Sequence, residues 1–163
     1  MIRFGFIGTG RISDWVFKGA SEDPRIKVTA ICSRTEEAAK AFIARHPEIT
    51  GARIYTSVED MANDPDIDAI YIGTPNQTHH NYAITALNAG KHVLCEKPFS
   101  ISGDEAREMA AAARDNGKLL MEAMISTFNP NFRAFARHIS DIAPLRQYHS
   151  SYCLLSWRVE LSF

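Results

Sequence analysis

The residues best able to do chemistry stand in three short loops, each directly after an apolar run. The first is Gly8-Thr9-Gly10-Arg11-Ile12-Ser13, a G-x-G-x-x-S turn. In such a turn the first glycine permits a sharp exit from a strand, and the second removes a side chain where a pyrophosphate must approach the backbone. The third position needs only a small residue for helix-sheet packing, which Ser13 supplies. Phosphate charge would sit on the amides and positive dipole end of the helix beginning at Arg11. The second loop is Gly73-Thr74-Pro75-Asn76-Gln77-Thr78-His79, and the third is Glu96-Lys97-Pro98. A lysine beside a nicotinamide and a substrate hydroxyl can lower the cost of an alkoxide, or carry a proton while hydride leaves the carbon. Taken singly, each residue has an ordinary structural reading: Pro75 as a turn, His79 as a helix start, Lys97 as a solvated charge. Jointly they are harder to dismiss.

Fingerprints for NAD normally place an acidic residue about 20 residues downstream, at the end of the second strand, to hold the ribose hydroxyls. That place here reads Ser33-Arg34-Thr35, and Glu36 and Glu37 lie further on, at the start of a helix. A guanidinium flanked by hydroxyls suits a 2′-phosphate: the cation pairs with the dianion, its face can stack on adenine, and the hydroxyls donate hydrogen bonds. NADP is therefore favoured over NAD. The structural reading of the same residues is an exposed arginine and a Thr35 that only caps a helix.

The elements that must position these loops alternate. Ile2 to Ile7 reads as a buried strand, followed by a helix from Arg11 to Ser21 with Ile12, Trp15, Val16 and Gly19 on one face. Lys27 to Cys32 is a second strand, and Thr35 caps a helix whose Ala38, Ala41 and Phe42 share a face. Arg53 to Tyr55 is a weak third strand, and Ser57-Val58-Glu59-Asp60 resembles a capping box. Ile67 to Ile72 is the strongest strand, and the helix after it ends at Gly90. Lys91 to Cys95 and Lys118 to Glu122 complete the strands, with a helix from the Ser102 capping box to Gly117 between them. Repeated β-α units with short connections predict an α/β fold with a doubly wound parallel Rossmann sheet. Beyond Ser126 the pattern changes. Asn129-Pro130 opens a helix with Phe132, Phe135, Ala136 and Ile139 on one face, and Tyr148 to Leu155 reads as one strand. The predicted division is residues 1–123 as a dinucleotide domain and 124–163 as the start of a second, α+β domain.

Composition narrows the partners. The 163 residues are 45% hydrophobic and 23% charged, with 18 Lys+Arg against 19 Asp+Glu. That balance creates no general field for nucleic acid or an anionic membrane, so neither is an expected partner. No apolar stretch approaches the roughly 20 residues of a spanning helix, and the N-terminus lacks a signal-peptide layout, so the chain reads as cytoplasmic. Cys32, Cys95 and Cys153 form no C-x-x-C pair, which argues against a disulfide framework or a zinc site and for buried small apolar residues.

Gly8-x-Gly10 after the first strand, Thr74-Pro75-Asn76-x-x-His79 after the fourth and Glu96-Lys97-Pro98 after the fifth resemble the glucose-fructose oxidoreductase / myo-inositol dehydrogenase family (Gfo/Idh/MocA). The resemblance runs from Ile2 to about Tyr152. It implies an NAD(P)-dependent oxidoreductase acting on sugars, polyols and related carbonyl compounds, with a dinucleotide cofactor and a small-molecule substrate. Carried over by position, it implies that Gly8, Thr9, Gly10, Arg11 and Ile12 cradle the pyrophosphate and that Ser33 and Arg34 contact the adenosine ribose. Thr74, Pro75, Asn76 and His79 would border the cofactor. Glu96 would position the ribose or the lysine, and Lys97 would be the catalytic residue facing nicotinamide and substrate. Met121-Glu122-Ala123 and Phe128-Asn129-Pro130 resemble the family's crossing into its second domain.

That second domain is a large, mostly antiparallel sheet in the family, commonly carrying a downstream Asp and His and mediating homo-oligomer formation. The chain stops before it. His138 and His149 lie too early to take that role, so the expectation is a truncated chain that binds cofactor and turns over little substrate. The alternative is a non-catalytic nucleotide-binding sensor or regulatory partner, since the same fold can bind cofactor without chemistry. A third reading is an inert remnant without a ligand.

Overall fold

The structure is a computed structural model that describes residues 1–142 together with 144, 146, 147 and 149. The chain divides into two compact units, Met1–Met124 and Ile125–Phe163. In the first, six strands form one parallel sheet: β1 (Ile2–Ile7), β2 (Ile26–Cys32), β3 (Arg53–Tyr55), β4 (Ala69–Ile72), β5 (His92–Cys95) and β6 (Leu120–Glu122). Their order across the sheet is β3-β2-β1-β4-β5-β6. This is the doubly wound Rossmann order, and its direction reverses between β1 and β4. The helices are α1 (Arg11–Ser21), α2 (Glu36–Arg45), α3 (Val58–Ala62), α4 (His79–Asn88) and α5 (Gly103–Asp115).

Alternate strand residues face opposite sides of the sheet, so each face has its own core. Phe6, Val28, Ile31 and Tyr71 pack with Phe17 of α1 and with Ala39 and Phe42 of α2. Ile7, Cys32, Ile70, Ile72, Val93 and Cys95 pack on the other side with Met61 of α3, Leu87 of α4 and Met109 of α5. Phe42 is fully buried, and truncating such a ring to alanine costs about 3–5 kcal/mol. Cys32 and Cys95 are buried free thiols, and burial pushes them up to about 11 and about 12.

Local capping signals act where the residue types place them. Thr35 accepts from the Ala38 amide, Ser57 from Asp60 and Ser102 from Glu105. The Glu105 carboxylate reaches back to the Ile101 amide at 3.1 Å, one residue beyond the cap. Gly90 and Gly117 take positive φ after α4 and α5, as left-handed helix ends do.

The expected helix faces need correction. Along α1 the buried residues are Ser13 and Phe17, whereas Trp15 is 66% exposed and Gly19 is exposed. Along α2, Ala39 and Phe42 are buried and Ala41 is exposed. In both cases the spacing selects a helix, but the sheet to be covered selects the face. Three strands also begin later than expected, at Ala69, His92 and Leu120. Before β4 the Ile67 amide closes a turn onto the Asp64 carbonyl, and Asp68 is held by Arg3.

The second unit contains α6 (Ile125–Phe128), which the sequence pattern did not suggest, and α7 (Pro130–His138). Asn129 caps α7 by accepting from the Asn131 and Phe132 amides, with Pro130 in the first turn. Phe132 and Phe135 are exposed. The strand expected at residues 148–155 and Cys153 fall, His149 aside, outside the described residues.

Arg3 ties β1 to the start of β4. Its amide and guanidinium donate to Asp68 at 2.7–3.0 Å, and these bonds hold the Asp68 carboxyl down to about 2. Because the folded value lies below the unfolded one, the pair stabilises above the ordinary carboxylate value and is lost as pH falls through about 2. Asp68→Asn should lower the melting temperature at neutral pH and flatten its fall between about pH 4 and about pH 2 relative to wild type, read by thermal melting.

Candidate dinucleotide site

The site residues leave the sheet along one edge because the ladders continue for one further bond on each strand. Ser33, Gly8, Gly73, Glu96 and Ala123 each donate a backbone N–H across the sheet: to Tyr55, Cys32, Ile7, Ile72 and Cys95, respectively, at 2.8–3.1 Å. All three loops therefore start at the carboxyl ends of neighbouring strands, and the glycine turn and the loop after β4 flank the point where strand order reverses. Open α/β sheets bind ligands in that crevice.

Gly8 and Gly73 meet there. Gly8 has φ +99°, and a Cβ on it would stand 2.4 Å from the Gly73 carbonyl oxygen. A Cβ on Gly73 would meet the Ser13 hydroxyl at 2.7 Å and the Tyr71 ring. Gly10 differs. It is the extended N-cap of α1 at φ −81°, and nothing lies within 4 Å of a Cβ built on it. The first glycine is thus needed by the protein itself, while the second leaves open space before a helix N-terminus.

A cavity of about 430 Å³ occupies the crevice. Of the expected residues, Gly8, Thr9, Gly10, Ser33, Arg34, Thr74 and Pro75 line it. Thr9 and Ser33 face each other with their hydroxyl oxygens 3.4 Å apart, and Arg34 is exposed at the rim. Thr35 accepts from the Ala38 amide at 3.2 Å, so it does cap α2, with its own O–H left to donate. Thr56, Val58 and Tyr82 also line the cavity. Sequence reasoning missed these three. Thr56 follows β3 at the same sheet edge and was findable from that position alone, whereas nothing in the residue types or spacing of Val58 and Tyr82 points to a site.

Arg11, Ile12, Asn76, His79, Glu96 and Lys97 are not in the cavity wall. Arg11 and Ile12 form the first turn of α1, and Asn76 opens a short 3-10 helix, Asn76–Thr78. Lys97 is exposed, one strand further along the edge. Glu96 is buried and turned inward, where Oε1 accepts from the Tyr71 hydroxyl at 3.2 Å and Oε2 from the Lys97 amide at 3.2 Å. Burial and the Glu96 charge push the Tyr71 phenol up, so it stays a donor. His79 is fully buried between two loops: Nε2 lies 2.9 Å from the Thr74 carbonyl and Nδ1 2.9 Å from the Pro98 carbonyl.

The outer side of the glycine turn is buttressed by α2. Arg45 donates to the Thr9 carbonyl at 3.2 Å and to Asp14 at 3.0 Å, and the His46 ring lies 2.8 Å from the same Asp14 oxygen. Burial pushes Asp14 up, but the His46 and Arg45 hydrogen bonds outweigh it and hold the carboxyl below its usual value. Among the described residues no group of three or more His, Cys, Asp or Glu is placed to hold a metal ion, and no helix is long and apolar enough to cross a membrane.

A glycine turn at the switch point of a doubly wound sheet, with open space before a helix N-terminus, defines a dinucleotide-binding Rossmann domain. The model of the oxidoreductase family with an NAD-binding Rossmann fold, GFO_IDH_MocA, matches residues 2–124, and the chain belongs to that family. It is 41% identical over 160 residues to the scyllo-inositol 2-dehydrogenase (NADP(+)) IolU of Bacillus subtilis, covering 98% of this chain and 48% of that enzyme. A 1,5-anhydro-D-fructose reductase of Ensifer adhaerens is 39% identical over 121 residues, which is 74% of this chain and 35% of the reductase. Among solved structures, a 3-ketoreductase from Actinomadura kijaniata in complex with NADP and TDP-benzene superposes with a TM-score of 0.78 at 34% identity, covering 86% of this chain and 42% of that one. The chain spans about half the length, or less, of these relatives.

The two glycines should separate fold from ligand. Gly8→Ala is expected to destabilise the domain by at least about 2 kcal/mol through positive φ and the clash with Gly73. Gly10→Ala should leave stability within about 1 kcal/mol of wild type while its methyl obstructs the dinucleotide. Chemical denaturation and NADPH titration of the two variants check both expectations.

Proposed function

We propose that this chain is the cofactor-binding part of an NADP-dependent oxidoreductase that transfers hydride between nicotinamide and a CH–OH carbon of a sugar, polyol or related carbonyl substrate. Residues 1–123 form the NAD(P)-binding domain and 124–163 the beginning of a substrate and oligomerisation domain. The observation that carries the preference for NADP is Arg34. It stands at the rim of the cavity with Ser33 and Thr9, at the place where an NAD site carries a carboxylate. The NADP in the name of the Bacillus enzyme and in the solved ketoreductase complex supports the same reading. A sensor without chemistry is not favoured, because the relatives named above are a dehydrogenase and reductases.

Gly8, Thr9 and Gly10, with the first-turn amides of Arg11 and Ile12, hold the pyrophosphate. Ser33 and Arg34 hold the adenosine ribose and its 2′-phosphate. Thr74, Pro75 and Asn76 border the nicotinamide half, with His79 behind them. Bound nicotinamide supplies a hydride acceptor or donor. As the neutral amine, Lys97 takes the proton from the carbinol oxygen during oxidation, and as the ammonium it gives one to the carbonyl oxygen during reduction. Glu96, bonded to the Lys97 amide, fixes where that lysine leaves the strand.

Fluorescence titration with NADPH and NADH tests the reading. Wild type should bind NADPH more tightly, and Arg34→Ala should cut that preference by about 10- to 100-fold, the worth of charge-assisted hydrogen bonds to a phosphate. An unchanged ratio removes Arg34 from the argument. Lys97→Ala should leave NADPH binding within about threefold while lowering any polyol-dependent NADP reduction by about 10²-fold or more.

A further inference from the structure

We infer that His79 is a positioning residue: its buried ring joins the Gly73–Thr78 loop, which borders the cofactor, to the loop carrying Lys97, so that occupancy of the first changes the setting of the second. The inference rests on the cofactor reading above and deepens it. His79 is the first residue of α4, fully buried, and none of its atoms lines the cavity. Its two ring nitrogens face one carbonyl on each loop, Thr74 and Pro98, both at 2.9 Å. A neutral ring donates to one of the two carbonyls, from its protonated nitrogen, and an imidazolium donates to both.

The two carbonyls are well chosen for coupling. Thr74 lines the cavity, and the Pro98 carbonyl belongs to the residue directly after Lys97. Backbone pairing between these strands ends at the bond from the Glu96 amide to the Ile72 carbonyl. Beyond it, among the described residues, the side-chain hydrogen bonds that join 73–78 to 96–98 come from this one ring. The lysine loop has two further ties: Phe99 donates to the Glu122 carboxylate at 3.0 Å, and Glu96, which accepts from the Lys97 amide, also accepts from the Tyr71 hydroxyl of β4 at 3.2 Å. The Thr74 side is stiffened by its own short bond to Thr78, whose hydroxyl oxygens are 2.7 Å apart. A displacement of Thr74 by a ligand therefore has a direct path to Lys97 through the imidazole.

The test is the acetylation rate of the exposed Lys97 amine, followed by mass spectrometry with and without 2′-phospho-ADP-ribose. That ligand fills the adenosine and pyrophosphate parts of the site but carries no nicotinamide to cover the lysine. Wild type should bind it and change its Lys97 rate by about threefold or more, a coupling of ordinary size. In His79→Ala, binding should persist within about fivefold while the rate change falls below about 1.3-fold, and added imidazole should restore it. Should His79→Ala fail to fold, His79→Gln keeps one donor group and is expected to fold with most of the response lost. A response that survives in either variant overturns the inference, as does a loss in His79→Ala that imidazole leaves unrepaired. Wild type that binds the ligand without a change at Lys97 overturns the coupling alone, whereas wild type that does not bind it overturns the functional reading on which the coupling rests.

Discussion

β1 and β4 lie side by side and their following loops depart toward opposite helices, so the backbone must turn sharply in a space with no room for a side chain. Gly8 and Gly73 share that space: a Cβ on Gly8 would collide with the Gly73 carbonyl, and one on Gly73 with Ser13 and Tyr71. At this contact β1 and β4 part and the crevice opens, with α1 leaving from the glycine turn. The same contact explains why the third fingerprint position is a small residue. Ser13 is fully buried under Gly73, and a larger residue would push α1 off the sheet.

Electrostatics then divides the crevice edge into two kinds of place. The wall facing the cavity offers backbone amides, hydroxyls and one exposed guanidinium, all donors suited to phosphate. Behind the wall, several charged and polar groups have partners: Glu96 accepts from Tyr71 and the Lys97 amide, Asp14 pairs with Arg45 and His46, and His79 is set between two carbonyls. Unpaired polar groups at such depth would each cost about 1–3 kcal/mol. The paired ones hold the three loops in register with one another.

Much of this was legible from residues alone, and for local reasons. A cap needs only a Ser, Thr or Asn and the amides two or three residues on, so Thr35, Ser57, Ser102 and Asn129 could be read directly. The glycine turn and the Arg34 position likewise depend on spacing along one β-α-β unit. Helix faces were less legible. Trp15 and Ala41 fit a helical period but point away from the sheet, because neighbouring apolar positions offer more than one stripe and the sheet's placement chooses between them. Tyr82 and Val58 carry no local signal of a site, and only the path of the chain around the crevice brings them to its wall.

The sequence by itself determined the alternation of strands and helices, their caps and turns, and the three loops with the residue types for a dinucleotide and a proton, because each depends on interactions within a few residues. Only the tertiary structure decided which of those polar residues meet the cavity and which support it. Glu96 and His79 look much like Thr74 and Ser33 as loop residues after strands. Their partners, Tyr71 and Pro98, are 25 and 19 residues away in the chain. Strand order brings such pairs together, and strand order is a property of the whole sheet.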